Sequence, residues 1–210
     1  GTLPSYPCYD AAILSSEDAI KLHGDRLKAL GMESAVLMFC VDVRKGWETH
    51  AYTKEELGFP SNSFLMTTIS HHLEARLSED FCHAIGQILQ RCPTAYYAPL
   101  GPISNEEKFR KIFSEYDVNS RVVFMGYHKN PSQYARTMDL YLNEYPFGSG
   151  IGILDAMAAG CPVVSMFDEK GPQQARYGGT YFGLDRVLHN GSTEEYVNLA
   201  CRLCEDKALY

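Results

Sequence analysis

From residue 63 onward, apolar runs of strand length alternate with segments whose apolar residues recur at helical spacing. The predicted strands are "SFLMTTI" (63–69), "TAYYAPL" (94–100), "RVVFMGY" (121–127), "LYLN" (140–143) and "PVVSM" (162–166). Continuous apolar runs are typical of strands buried on both faces, and helical connections make neighbouring strands parallel. The pattern therefore predicts an α/β fold, a doubly wound parallel sheet of Rossmann type, over residues 63–210.

Capping residues mark where the helices of this domain begin. Ser78 precedes a helix that ends before Pro93, and Ser104 with Glu107 is a capping box for a helix that reaches about Tyr116. Three further helices are predicted at 132–137, from the glycine-rich stretch near 150 onward, and from 193 to about 207.

Residues 1–62 are predicted to form a linker or intermediate segment with one helix and one or two strands. The helix is expected over 17–30, and "SAVLMFCV" (34–41) has the length and composition of a strand. Residues 44–46 either turn that strand into a hairpin or begin a loop. The most plausible linker is the stretch 54–63.

Composition excludes several classes of protein. A formal net charge of −7 over 210 residues argues against binding to nucleic acid, because no basic stripe offsets the acidic balance. No apolar run approaches the roughly 18 residues that a membrane-spanning helix needs. Seven cysteines, an odd number scattered through apolar segments, indicate reduced thiols and a cytoplasmic location.

We predict neither a metal site nor a bound cofactor. The adjacent pair His71-His72 lies in an extended loop, where neighbouring side chains point apart, and no carboxylate completes a site. Cys201 and Cys204 lie on an amphipathic helix, so a buried helix face explains them better than redox chemistry.

The stretch "NEYPFGSGIGILDAM" (143–157) begins a helix with almost no side chains around its first turn. Every other capped helix of this domain has acidic residues in its first turn, whereas this one has none before Asp155. Glycines at 148, 150 and 152 let a ligand approach the backbone, and Ser149 adds a hydroxyl donor. A phosphate or diphosphate site is one interpretation, and tight packing of strand against helix is the other.

The stretch "GSGIGILDAMAAGCPVVSM" (148–166) resembles the nucleotide-sugar signature in the C-terminal domain of GT-B glycosyltransferases. The closest likeness is to the branch that contains O-GlcNAc transferases and the bacterial adhesin N-glycosyltransferases. It covers roughly residues 63–207, including "ARLSEDF" (75–81) and "GLDRVLHNGSTEEYVNLACRL" (183–203).

The resemblance implies that a UDP-sugar is the donor substrate. Arg76 falls where the family has a basic residue, usually Lys, that neutralises the departing β-phosphate. The backbone near position 150 would hold the diphosphate, Asp155 the ribose, and His128, in "GYHKNP", would line the uracil and diphosphate pocket. The nucleotide-binding residues implied in this way are His128, Ser149, Gly150, Ile151, Gly152 and Asp155.

One departure from the family pattern concerns the mechanism. The large retaining branch of GT-B enzymes has a Glu eight positions before the acid on this helix, and here that position is Phe147. The resemblance therefore implies a hexosyltransferase with an inverting, metal-independent mechanism. Its acceptor is expected to be a protein side chain or a glycan.

GT-B enzymes clamp the donor between two Rossmann domains, and residues 1–62 are too few for the second one. We therefore expect a separate N-terminal Rossmann domain to complete the enzyme, and this chain alone to be inactive. Two alternatives remain: a nucleotide-sugar-binding or regulatory module, and a Rossmann oxidoreductase or epimerase. The latter needs a glycine fingerprint after its first strand, and "SFLMTTISHHLEARL" (63–77) contains no glycine.

Overall fold

A four-stranded parallel sheet forms the centre of the larger part of the chain. The computed structural model describes residues 11–14, 17–37, 42, 44–48, 50–167 and 187–206. Its contacts divide the chain into two units, Gly1–Cys40 and Val41–Tyr210.

The described residues of the first unit form one helix and two paired strands. Strand β1 (Ala11–Leu14) leads into α1 (Glu17–Ala29), which returns the chain to β2 (Glu33–Val36). β1 and β2 pair in parallel. The predicted helix is confirmed, while residues 38–41 of the predicted strand lie outside the described residues.

The second unit contains the sheet and the helices that cover it. Its helices are α2 (Arg44–Trp47), α3 (Leu73–Arg76), α4 (Glu79–Arg91), α5 (Glu106–Ser114), α6 (Ser132–Ala135), α7 (Ile151–Ala158) and α8 (Thr193–Glu205). Its strands are β3 (Phe64–Thr67), β4 (Ala95–Tyr97), β5 (Leu140–Leu142), β6 (Val163–Val164), β7 (Met166–Phe167) and β8 (Leu188–His189). None of the described helices is long and apolar enough to cross a membrane.

The sheet has the strand order β4-β3-β5-β6, and every neighbouring pair is parallel. Alternate residues of each strand enter different cores. Phe64 and Met66 pack in a cluster with side chains of α4, α5 and α8, whereas Leu65 packs in a second cluster with side chains of α6 and α7. Helices therefore cover both faces of the sheet, which confirms the doubly wound α/β prediction.

A regular strand over 121–127 is not present, so that prediction was wrong. The segment runs parallel to the end of β4 in an interrupted ladder, in which Met125 donates to the carbonyl of Pro99 (3.0 Å) and Gly101 donates to Gly126 (2.8 Å). Pro99 has no amide hydrogen with which to complete the ladder. The missing donor explains why an apolar run of this length forms only isolated bridges.

Two other local predictions also need correction. α5 is capped by Asn105, whose side chain accepts from the Lys108 amide, and not by Ser104. The Ser104 amide instead donates to Glu74 (2.7 Å), which delays the start of the helix by one residue. Residues 44–47 form the short helix α2, so they are neither a hairpin turn nor a loop.

The segment before β3 is held against the sheet by a part-buried ion pair. Lys54 Nζ lies 2.6 Å from Asp139 Oδ2 and also donates to the carbonyl of Ser63. The same carboxylate oxygen accepts from the main-chain amide of Leu65, inside β3 (2.8 Å). Asp139 therefore joins the start of β5, β3 and the preceding segment.

We predict that Asp139→Ala lowers the free energy of unfolding by about 1–3 kcal/mol, because it leaves the Leu65 amide and the Lys54 ammonium without their acceptor. Urea denaturation measures the change. Glu107→Ala is the control, since its pair with Lys111 is long (4.0 Å) and exposed, and its loss should cost less than about 0.5 kcal/mol. Equal effects of the two substitutions would contradict this view of Asp139.

Candidate functional site

The carboxyl ends of the central strands lie side by side at one edge of the sheet. Isolated parallel bridges join Ile69 to Leu100 and Leu100 to Gly126, so the segments after β3 and β4 adjoin each other and the 121–127 segment there. The glycine-rich turn that follows β5 packs against the same edge, since Ser149 Oγ lies 3.5 Å from the carbonyl oxygen of Ile69. In doubly wound folds this edge is where ligands bind.

Asn143, the residue directly after β5, holds the glycine-rich turn through hydrogen bonds of its buried side chain. Its Oδ1 accepts from the main-chain amide of Ser149 (2.7 Å), and its Nδ2 donates to Ser165 Oγ (2.9 Å). Its carbonyl accepts from the hydroxyl of Tyr196 (3.0 Å) on α8. Because Asn143 is almost fully buried, these bonds satisfy groups that water cannot reach. They also mean that the Ser149 amide is already engaged within the protein.

The guanidinium of Arg76 binds the same turn. Arg76 is the last residue of α3, and its Nη1 donates both to Glu144 Oε1 (2.9 Å) and to the carbonyl of Gly148. Two residues further on, Ser78 Oγ donates to the carbonyl of Tyr145 (2.7 Å). The structure thus brings the predicted basic residue, which is 68 residues distant in sequence from Glu144, into contact with the glycine-rich turn.

Glu144 is the most unusual side chain of this region. It is completely buried, and its Oε2 has no hydrogen-bond partner among the described residues. Burial raises the pKa of Glu144 to about 7, although the neighbouring Arg76 charge acts in the opposite direction. The carboxyl therefore changes its charge near neutral pH, in direct contact with a cation.

Gly152 is required by close packing. A Cβ atom at this position would lie 2.3 Å from the carbonyl oxygen of Ile69 and 2.8 Å from Tyr141 Oη. The first turn of α7 therefore lies closer to the end of β3 than any other residue would allow. Of the two interpretations of the glycines, tight packing accounts for Gly152.

The amides of Gly150 and Ile151 are different. Gly150 is the N-cap of α7 and supplies no side-chain cap, and no acidic residue lies in the first turn. Within the described part of the chain, neither amide has a hydrogen-bond acceptor. Ile151 is 55% exposed. Two main-chain donors at the positive end of a helix dipole therefore point to an anion site.

The two other predicted residues, His128 and Asp155, lie on the loop after the 121–127 segment and in α7. His128 lies two residues beyond the bridge at Gly126; its ring stacks on Tyr134 (4.0 Å between centroids), and its Nε2 is 2.9 Å from the carbonyl oxygen of Met125. Asp155 lies one turn inside α7 and is half-buried. Among the described residues, no group of three or more His, Cys, Asp or Glu side chains could hold a metal ion.

Asn143 and Glu144 were not among the site residues predicted from the sequence. Both belong to the glycine-rich stretch 143–157, and they directly follow the buried run "LYL" of β5. A polar pair at the carboxyl end of a buried parallel strand was the available signal. Their partners, however, are set by the tertiary fold and could not be read from spacing.

We compared the sequence and the fold with those of known proteins. Residues 68–206 match the family described as "Glycosyl transferases group 1". A search of curated protein sequences found no match.

Several solved structures share the fold at low sequence identity. WaaG, a glycosyltransferase involved in lipopolysaccharide biosynthesis, superposes with a TM-score of 0.73 at 16% identity, over 94% of this chain and 54% of its own. HepE of Anabaena, solved with UDP, gives 0.68 at 17% identity, over 94% and 55%. The pneumococcal O-GlcNAc transferase GtfA, solved with UDP and GlcNAc, gives 0.65 at 16% identity, over 95% and 39%. This chain therefore spans about half the length of WaaG and HepE, and less of GtfA.

We expect Gly152→Ala to lower the free energy of unfolding by about 1–3 kcal/mol, because the added methyl group meets the rigid end of β3. Gly24→Ala is the matched control: it lies within α1, its nearest neighbour would be 3.5 Å away, and alanine favours the helix. Denaturant unfolding of both variants tests the prediction. A Gly152→Ala variant as stable as Gly24→Ala would exclude the close packing described above.

Proposed function

This chain belongs to the group 1 glycosyl transferase family, and from that premise we propose that it is the donor-binding half of a hexosyltransferase. The donor is a UDP-sugar, and the hexose passes to a protein side chain. One observation carries the proposal: no described residue accepts a hydrogen bond from the amides of Gly150 and Ile151, which lie two and three residues from Gly148, and Gly148 binds the guanidinium of Arg76. A diphosphate matches that combination of helix N-terminus and cation in charge.

In this proposal the residues of the turn have separate tasks. The amides of Gly150 and Ile151 donate to the diphosphate, while Ser149, whose amide is held by Asn143, shapes the turn. Gly152 lets α7 approach the sheet, so that its N-terminus faces the ligand. Asp155 binds the ribose, since helical side chains lean toward the N-terminus of their helix.

His128 lines the uracil and diphosphate pocket in our proposal. It lies on the loop after the 121–127 segment, at the edge of the sheet where Leu100 and Gly126 are bridged. Its ring is held by Tyr134 and by the carbonyl of Met125, so its orientation is fixed before a ligand binds.

The reaction requires a positive charge near the leaving group. When an acceptor heteroatom forms a bond to the anomeric carbon, the bond from that carbon to the β-phosphate oxygen breaks, and negative charge develops on the diphosphate. Arg76 offsets this charge, so no metal ion is needed in the proposed mechanism. Phe147 replaces the Glu of retaining enzymes, which favours a single displacement with inversion.

The acceptor site and the general base belong to a second Rossmann domain in this proposal, and the donor-binding domain begins at residue 63. The lengths of WaaG and HepE, about twice that of this chain, support a second domain. The resemblance to O-GlcNAc transferases and adhesin N-glycosyltransferases that we infer from residues 148–166 favours a protein acceptor. A glycan or lipid acceptor is the alternative, since the S. aureus TarM structure contains α-GlcNAc-glycerol. Five described cysteines are free thiols, which fits a cytoplasmic enzyme.

Calorimetric titration with UDP and with NAD tests this function directly. We expect the chain to bind UDP and not NAD, and to show no transfer when it is supplied with a UDP-hexose and an acceptor peptide by itself. Binding of NAD without UDP would place the chain among the Rossmann oxidoreductases instead.

Ile151→Pro tests the proposed diphosphate contact. Proline is tolerated at the first position of a helix, so the substitution removes one amide donor while α7 can still form. Because a following proline disfavours the ψ of −81° that Gly150 adopts, circular dichroism and denaturant unfolding check that the variant keeps its fold. We predict that the affinity for UDP falls about tenfold, as expected for a lost hydrogen bond to a charged group. Ile151→Ala, which retains the amide, is the matched control and should bind UDP as the unmodified chain does. Equal affinities for both variants would remove this amide from the site.

A further inference from the structure

The guanidinium of Arg76 is held at only one of its nitrogens. Nη1 makes both of its bonds, to Glu144 and to Gly148, and in the described part of the chain Nε and Nη2 make none. The side chain is 26% exposed, whereas that of its partner Glu144 is fully buried. One end of the guanidinium is therefore anchored in the protein, and the other end is available to a ligand.

We propose that Glu144 is a positioning residue, which anchors Arg76 through Nη1 so that Nε and Nη2 receive the diphosphate of the donor. This inference rests on the proposed function of the turn. Arg76 donates to Glu144 and to Gly148, and the Gly148 amide donates to the Glu144 carbonyl (2.7 Å). Together these three hydrogen bonds make the cation and the turn one rigid unit.

An arginine suits this arrangement better than a lysine. The three N–H bonds of a lysine ammonium start from one nitrogen, which a phosphate would have to share with Glu144 and Gly148, whereas arginine offers two further nitrogens in a fixed plane. In the GT-B family that this sequence resembles, the basic residue at this position is usually a lysine. The buried carboxylate beside it accounts for the arginine in this chain.

The contact between Glu144 and Arg76 also couples binding of the donor to protonation of Glu144. The charge of Arg76 favours the ionised form of Glu144, against the effect of burial. Burial raises the pKa values of Tyr97, Tyr141 and Tyr196, on which the charge of Glu144 also acts, so these side chains stay neutral. An arriving diphosphate competes with ionised Glu144 for the same guanidinium. Because the pKa of Glu144 is already about 7, the additional negative charge favours its protonated form.

The sign of the pH dependence follows from this competition. Below pH 7 Glu144 is protonated, and the full charge of Arg76 acts on the donor. Above pH 7 the carboxylate cancels part of that charge, so donor affinity falls as the pH rises. Glu144→Gln keeps the shape and an acceptor oxygen for Arg76, but it has no proton to exchange.

The test is calorimetric titration with UDP at pH 6 and pH 8, in two buffers of different ionisation enthalpy, so that proton uptake is measured. Relative to the unmodified chain, we expect Glu144→Gln to bind equally at pH 6 and up to about tenfold more tightly at pH 8, with less proton uptake. Arg76→Lys should bind about tenfold more weakly at both pH values. Titration of UDP itself affects every variant equally and cancels in the comparison. Glu107→Gln, on the exposed surface of α5, is the control.

The outcomes separate the two proposals. Proton uptake by Glu144→Gln equal to that of the unmodified chain, or full affinity of Arg76→Lys, would overturn the role of Glu144 and leave the proposed function intact. Failure of the unmodified chain to bind UDP at either pH would overturn both. Circular dichroism checks that each variant is folded; if Glu144→Gln does not fold, the affinity of Arg76→Lys decides.

Discussion

Burial of two consecutive polar side chains at the end of β5 determines the geometry of the whole site. An unpaired amide or carboxylate inside a protein costs several kcal/mol, so Asn143 and Glu144 must find partners. Asn143 finds the Ser149 amide and Ser165, and Glu144 finds Arg76. Because those partners belong to different segments, satisfying two side chains brings together the ends of β3, β5 and β6. The open amides near position 150 are a consequence of that arrangement.

Much of the fold could be predicted from the sequence, because strands buried on both faces of a sheet are continuous apolar runs. Apolar runs located β3, β4, β5 and β6, and Ser78 located the start of α4, because strand burial and N-capping depend on nearby residues. The errors arose where a distant or absent group decides the structure. Pro99 withholds a ladder hydrogen bond from the 121–127 segment, and Glu74 engages the amide of Ser104.

Local features of the sequence singled out the glycine-rich turn as a candidate site, but they did not predict the hydrogen bonds that hold the turn. Gly150 and Ile151 could be singled out because an acid-free helix start is a local feature. Arg76 was singled out by the family resemblance, but its contact with the glycine-rich turn was not predicted, since no spacing connects residues 76 and 148. The raised pKa of Glu144 could not be predicted from the sequence, because it arises from burial in the fold and from the effect of one cation. Features that depend on neighbouring residues can thus be predicted from the sequence. Electrostatic interactions between distant segments can be recognised only once the fold is known.

Helix α7 is secured at both of its ends. Its first turn lies against Ile69, and at its last turn the indole of Trp47 donates to the carbonyl of Ala158 (2.8 Å), with Arg136 stacked over the indole ring. A helix of eight residues, about 12 Å long, has no freedom to slide along its axis when both ends are fixed. The amides at its start are consequently ordered in advance, so a ligand that binds them loses little entropy in arranging the backbone.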